Sequence, residues 1–409
     1  MTYLEIFVKV AVALALILAA CQIIGGLAKY ISQPRVVGEM IAGVMLGPTI
    51  FGNLFPDLYI QVFPQDVMPF LFVIANIGLS LYMFLVGSEI NLSLFNKKLL
   101  KDAGVISASA IITPFLFGVL VMLFFGDVLN TKEISTFSFT IFIGTAFAIT
   151  AFPMLARILQ DNNIIKTKIG GLAMVSASIQ DVISWMLLGL VTVLSIGDSY
   201  TKILIMIFGA IILVLFLFYI VRPFLAYFIN KTKNPNQDNT AFSVVIFLLI
   251  VCAIFTDYLG LYSVFGGFML GLAMPRKNDF IEAVSIRVKD ITLVLLLPVF
   301  FAFSGLNTDM TILSKSGILG PTFIILLFAF ASKIVPLFGS MRLRGYSKKD
   351  SFSIASLMNA RGLMELIIAN IGMMYGLIDQ TLYAILVAIA IFTTVTALPL
   401  YKFSQKFKD

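Results

Sequence analysis

Residues 168–196 read KIGGLAMVSASIQDVISWMLLGLVTVLSI, and after Lys168 the only charged residue in this run is Asp181, near its middle. A helix needs ~20 apolar residues to cross a bilayer core. An ionisable group held at that depth costs ~2.5–3.5 kcal/mol on insertion scales. The run therefore reads as a membrane helix that retains one expensive acid, and such an acid is a functional candidate by default.

The same pattern extends outward over the chain. Of 409 residues, 60% are hydrophobic and 12% charged, against ~25% charged in soluble domains. The reading is an all-α integral membrane protein of about 13 transmembrane helices, near 4–29, 36–53, 69–88, 102–125, 138–160, 168–196, 201–229, 241–258, 262–275, 280–305, 316–340, 350–375 and 380–402. A net charge of +7 is scattered between apolar runs, so no nucleic-acid partner is expected. Cys21 and Cys252 lie in apolar segments, which argues against a disulfide framework. With no histidine, proton chemistry falls to a carboxylate or a lysine. Leu18-Ala19-Ala20-Cys21 has the form of a lipoprotein cleavage box, but Glu5 offsets Lys9 ahead of it, so an uncleaved first helix is expected.

Basic residues set the orientation. Alternate connections carry Lys29 and Arg35; Lys97, Lys98 and Lys101; Arg157, Lys166 and Lys168; Arg222, Lys231 and Lys233; Arg276, Lys277, Arg287 and Lys289; Arg342, Arg344, Lys348 and Lys349; and Lys402, Lys406 and Lys408. The opposite set holds only Lys132, Lys202 and Lys315. The expected topology is multi-pass in the cell membrane, N-terminus outside and C-terminus cytoplasmic.

The organisation expected is a single transport domain: a peripheral first helix (4–35), a first repeat (36–196), a linker helix with a mobile cytoplasmic loop at 230–240 (201–240), a connecting helix (241–258) and a second repeat (262–402), with no soluble regulatory domain. Units of five helices offset by seven segments have opposite orientations, the inverted-repeat plan of secondary transporters.

Asp181 is the expected ion- and proton-binding residue and the expected ligand of a monovalent metal cation. Ser178 and Ser184 lie three residues to either side, on the same helix face, and Gln180 offers a carbonyl oxygen. A hard monovalent cation needs such oxygens in place of water. Desolvation favours the neutral acid and a bound cation favours the carboxylate, so one Asp can take a proton or a cation in competition. Lys333, half-way along segment eleven, reads as a counter-charge that pairs with Asp181 when the cation is absent, as a group that loses its own proton on burial, as a purely structural counter-ion, or as a lysine that snorkels to an interface. Segment five is expected to break around Thr145, Thr150 and Pro153, because proline removes a backbone donor. Segment twelve is expected to break around Asn359, Arg361, Gly362 and Glu365. The last pair are four apart and suited to each other. Both segments are fourth in their units.

Five stretches carry a family resemblance: QPRVVGEMIAGVMLGP (33–48), FLVGSE (84–89), AITAFPMLARIL (148–159), FAFSGLNTD (301–309) and NARGLMEL (359–366). They resemble the monovalent cation:proton antiporter-2 family of the sodium/hydrogen exchanger superfamily, on the side of the GerN-type and plant cation/H+ exchangers, with a Gln180-Asp181 pair similar to Kef-type systems. The resemblance implies a homodimer, two crossed discontinuous helices, elevator-like alternating access, and exchange of K+ or Na+ for H+ at Asp181. One carboxylate favours an electroneutral exchange, whereas a lysine matching Lys333 occurs in some electrogenic members. No cofactor and no enzymatic activity are expected, since phosphate loop, metal cluster and catalytic triad are all missing from the sequence. A channel or uniporter, or an ion sensor, on the same scaffold are the other readings.

Overall fold

The computed structural model describes residues 2–407 apart from 32, 91–96, 130–134, 166, 196–199, 232–238, 276–277 and 315–316; within them the chain forms helices joined by turns, bends and short irregular links, with no strand. In lipid every backbone N–H and C=O must be satisfied internally, which leaves the helix as the economical solution. Among the described residues nine helices are long and apolar enough to cross a membrane, and Thr136–Ala148, Ser263–Ala273 and Met364–Met374 are shorter apolar ones.

In chain order the helices are α1 (Tyr3–Tyr30), α2 (Arg35–Leu46), α3 (Pro56–Val62), α4 (Met68–Glu89), α5 (Lys97–Leu129), α6 (Thr136–Ala148), α7 (Phe152–Asp161), α8 (Lys168–Ser195), α9 (Tyr200–Phe216), α10 (Arg222–Lys231), α11 (Asn239–Tyr258), α12 (Ser263–Ala273), α13 (Asn278–Ile291), α14 (Leu297–Leu306), α15 (Leu319–Leu343), α16 (Lys348–Leu357), α17 (Leu363–Met374) and α18 (Gln380–Ser404). Segments five and twelve of the sequence reading are each two helices, α6/α7 and α16/α17. Segment ten is α13 and α14 joined by a π-helical turn at Thr292–Leu296. Most of the expected central loop, 232–238, lies outside the described residues.

Contacts group the chain into two units: Met1–Leu18, Val62–Leu92 and Gly197–Phe303 in one, and Ala19–Gln61, Ser93–Ile196 and Ser304–Asp409 in the other. These are units of packing, whereas the expected repeats are a matter of chain order and orientation.

In the first unit α4 and α12 meet on glycines. A Cβ at Gly87 or Gly271 would collide with the backbone carbonyl of Phe268 or Phe84, and one at Gly267 with that of Ser80. Lipid tails are as apolar as leucine, so close backbone approach supplies the packing that burial supplies in water. In the second unit Gly118 brings α5 against Gly144 of α6, where a Cβ would meet the Gly144 Cα at 2.7 Å. α8 and α15 pack on α5, and both α16 and α17 pack on α18.

A polar latch joins three helix ends of the second unit. The Arg344 guanidinium holds Asp102 of α5, with Nε at 2.9 Å. The Tyr346 hydroxyl donates to the other Asp102 oxygen at 2.7 Å, and Lys168 Nζ stands 5.4 Å from the Tyr346 ring centre. Burial, then the hydrogen bond to the Asp102 carboxylate, push the Tyr346 hydroxyl up from 10 to about 12. A raised value means the folded state holds this proton more tightly. Its stabilising contribution is whole below pH 10 and is lost as pH rises toward 12. The unfolding midpoint is expected to fall over that window, and Tyr346→Phe to flatten the fall; thermal unfolding in detergent across pH checks this, and identical profiles for both proteins refute it.

Candidate functional site

The functional candidates gather in the second unit around the α6/α7 break at residues 149–151. Pro153 is the second residue of α7, where its missing N–H is no loss because the first helical N–H groups have no partner within the helix. It starts the second half-helix and does not kink a continuous one. The break leaves α6 ending in carbonyls and α7 beginning in N–H groups, the negative and positive ends of two helix dipoles.

Each end meets a charge of opposite sign. At the carbonyl end, Lys333 of α15 donates to the Ile149 carbonyl and to Thr150 Oγ1 at 2.7 Å. Arg361 Nη1 donates to the Ala146 carbonyl at 3.2 Å, with its guanidinium 5.7 Å from the centre of the Phe147 ring. At the N–H end, the first residue of α7, Phe152, directs its backbone N–H at Asp181 of α8, and the Trp185 side chain acts on the same carboxylate. Asp181 is fully buried, and neither carboxylate oxygen has a partner at full hydrogen-bond geometry.

The second break, around 358–362, separates α16 from α17. Gly362 has φ +128°, a region closed to side chains, and an added Cβ would lie 2.6 Å from Met154 Cε of α7. The two breaks are therefore adjacent. Thr394 of α18 donates to the Arg361 carbonyl at 2.8 Å. Arg361 also donates to the Ala329 carbonyl of α15 at 3.1 Å and pairs with Glu365 at 3.3 Å. Glu365 stands in the first turn of α17, where the dipole favours an anion. Gly362→Ala is expected to cost ~1–3 kcal/mol of stability from backbone strain, more if Met154 fails to yield. The loss of unfolding midpoint measures it, and a substitution without effect removes the requirement for glycine.

The structure does not put all the expected residues to one use. Gln180 Oε1 accepts from Thr150 Oγ1 at 2.5 Å, so that carbonyl is committed to Thr150 while Nε2 is without a partner. Ser178 donates back to Val175 of its own helix at 2.9 Å. Ser184 Oγ, Thr145 Oγ1 and both side-chain polar atoms of Asn359 are buried with no hydrogen bond. Lys333 is not ion-paired with Asp181; it caps the break carbonyl instead. The sequence reading missed Trp185, Phe152 N–H and the Ile149 carbonyl. Trp185 was open to it, being the only tryptophan and four residues after Asp181 on the same face. The backbone groups were not, because their availability depends on where the helix breaks.

Buried polar groups in proteins are nearly always satisfied. A carboxylate, an amide, two hydroxyls and the Gln180 NH2 left open near two helix breaks suit an ion that exchanges with solvent. Among the described residues no three Asp, Glu, Cys or His side chains cluster, and Asp181 is the one carboxylate among these open groups.

Two helices broken at adjacent points, with a buried acid at one break, place the chain among multi-pass membrane proteins of the secondary-transporter kind. It belongs to the sodium/hydrogen exchanger transmembrane family, which matches residues 12–402. The chain is 36% identical over 396 residues to the Na(+)/H(+) antiporter NhaS4 of Synechocystis, covering 95% of this chain and 96% of that one. It is 33% identical to Cation/H(+) antiporter 19 of Arabidopsis thaliana, with 91% and 46% covered, and 31% identical to K(+)/H(+) antiporter 1 of Saccharomyces cerevisiae, with 94% and 45% covered. The chain thus spans less than half of those two plant and yeast proteins. The sodium proton antiporter MjNhaP1 of Methanocaldococcus jannaschii shares the fold, with TM-score 0.71, 16% identity and 98% and 99% of the chains covered.

Proposed function

We propose that this protein exchanges a monovalent cation, K+ or Na+, for H+ by alternating access, with Asp181 taking the cation or the proton in turn. The observation that carries the reading is the state of Asp181: fully buried, aimed at by the α7 N-terminus, and short of hydrogen-bond partners. A carboxylate held only for structure would be satisfied by fixed donors or a paired cation. Lys333 holds the break open by taking the carbonyl and hydroxyl that a cation would otherwise seek, so the cation's remaining ligands come from Asp181, Ser184, Asn359, Thr145 and water.

The antiporter relatives named above support the exchange reaction. The distribution of Lys and Arg supports an N-terminus outside and a C-terminus in the cytoplasm. A homodimer and an electroneutral one-for-one exchange complete the proposal, and the ions are cargo, with no resident cofactor. The test is proteoliposome flux with Na+, K+, Li+ and Rb+, with and without an ionophore to clamp voltage. Cation-driven proton movement supports exchange; current without proton coupling refutes it. A rate that follows imposed voltage refutes one-for-one stoichiometry, since each charge moved across 100 mV is worth ~2.3 kcal/mol.

A further inference from the structure

The second unit carries a cavity of about 600 Å³ whose lining includes none of the residues placed at the α6/α7 break: Ile334, Val335, Phe338, Lys348, Phe352 and Phe407. Five of the six lining residues are apolar and the sixth is a lysine. The walls are α15, the first turns of α16 and the end of the chain beyond α18. They are stiffened by phenylalanine packing: Phe352 sits edge-on at 6.3 Å from Phe338 and 6.5 Å from Phe403, and tilted at 5.5 Å from Phe407.

Its shape and charge fit one kind of occupant. A cleft that is apolar along its length and cationic at one end matches a molecule with a long tail and an anionic head. The basic end is reinforced: Lys348 is exposed and Lys349 follows it, while Lys402 and Lys406 flank the Phe403–Phe407 ring pair. Arg342 closes the last turn of α15. Basic clusters where membrane helices end attract anionic lipid headgroups, and basic pockets between helices hold them. A smooth helix face would be served by any lipid tail, whereas a recess of this size with charge at one end discriminates.

We propose that this groove binds one anionic phospholipid, its acyl tail along Val335, Phe338 and Phe352 and its phosphate on Lys348. The tail then lies on the stretch of α15 that immediately follows Lys333, and the head on α16, the first half of a broken helix. Bound lipid thus touches two elements that position the buried site without touching the site.

The test reads binding and not transport, so it stands or falls apart from the proposed exchange. Purified full chain in detergent is mixed with phosphatidylglycerol, phosphatidylcholine or oleate, and bound molecules are counted by native mass spectrometry. One phosphatidylglycerol is expected to be retained in preference to phosphatidylcholine and oleate. Lys348→Gln is expected to weaken that retention about fivefold. Val335→Trp, which fills the groove without changing its charge, is expected to weaken it by a similar factor. Lys202→Gln, a basic residue outside the groove, is expected to leave it unchanged. Equal retention of phosphatidylcholine reduces the groove to unspecific lipid contact and overturns the proposal. Equal retention of oleate assigns it to a free fatty acid and does the same. Full retention by a folded, monodisperse Val335→Trp protein shows a headgroup held by surface charge alone, with no tail in the groove.

Discussion

Asp181→Asn is expected to reduce cation-driven proton movement in proteoliposomes by at least about a hundredfold, equivalent to ~2.7 kcal/mol added to the barrier for exchange, while the protein stays folded. Asn keeps the shape and one oxygen but removes the only negative charge among the site's open ligands, and it has no proton to exchange. Stability separates this from a structural role. If the carboxylate were a fixed partner of buried donors, its neutralisation would destabilise the protein by leaving them unpaired. Here Phe152 N–H and Trp185 are aimed at the carboxylate but neither oxygen reaches full hydrogen-bond geometry, so neutralising it is expected to leave the unfolding midpoint unchanged or raised. Lost flux together with a lowered midpoint would return Asp181 to a packing role. Retained flux would remove it from the mechanism.

Arg361→Met is expected to cost ~3–5 kcal/mol of stability, the penalty for breaking a buried ion pair from one side. Arg361 and Glu365 are both fully buried and 3.3 Å apart. The guanidinium also serves the Ala146 and Ala329 carbonyls, so its loss undoes the α6 end and the junction with α15 together. Glu365→Gln is expected to cost less, because Arg361 keeps both carbonyls. The double variant Arg361→Met/Glu365→Gln is expected to recover ~0.5–3 kcal/mol relative to Arg361→Met alone, the range for residues in direct contact. Denaturation of the purified protein by graded detergent or heat gives the comparison. A double variant no more stable than Arg361→Met would mean that the carbonyl contacts, and not the pair, carry the cost.

Much of the fold was legible in the sequence because a bilayer imposes so few solutions. Long apolar runs must be helices, since nothing in lipid satisfies an open backbone, and α1, α4, α5, α8, α11 and α15 stand within a few residues of where apolarity placed them. The breaks at 149–151 and 358–362 were also visible around Thr150, Pro153, Asn359 and Gly362, because proline, glycine and clustered polar residues interrupt a helix by local chemistry. The π-helical turn at Thr292–Leu296 was not, since its sequence TLVLL is apolar and helix-compatible.

The sequence by itself determined that Asp181 is a lone acid near the middle of an apolar helix long enough to span a membrane. It also determined that Arg361 and Glu365 share a helix face. Only the tertiary structure decided what each charge faces. Lys333 and Asp181 looked like natural partners from their signs, yet they stand at opposite poles of the α6/α7 break, the lysine on its carbonyls and the aspartate at its N–H groups. The reason is physical: two half-helices end to end present both dipole poles within one short gap, and which side chain reaches which pole depends on how α8 and α15 pack around it. Spacing along the chain carries no record of that packing.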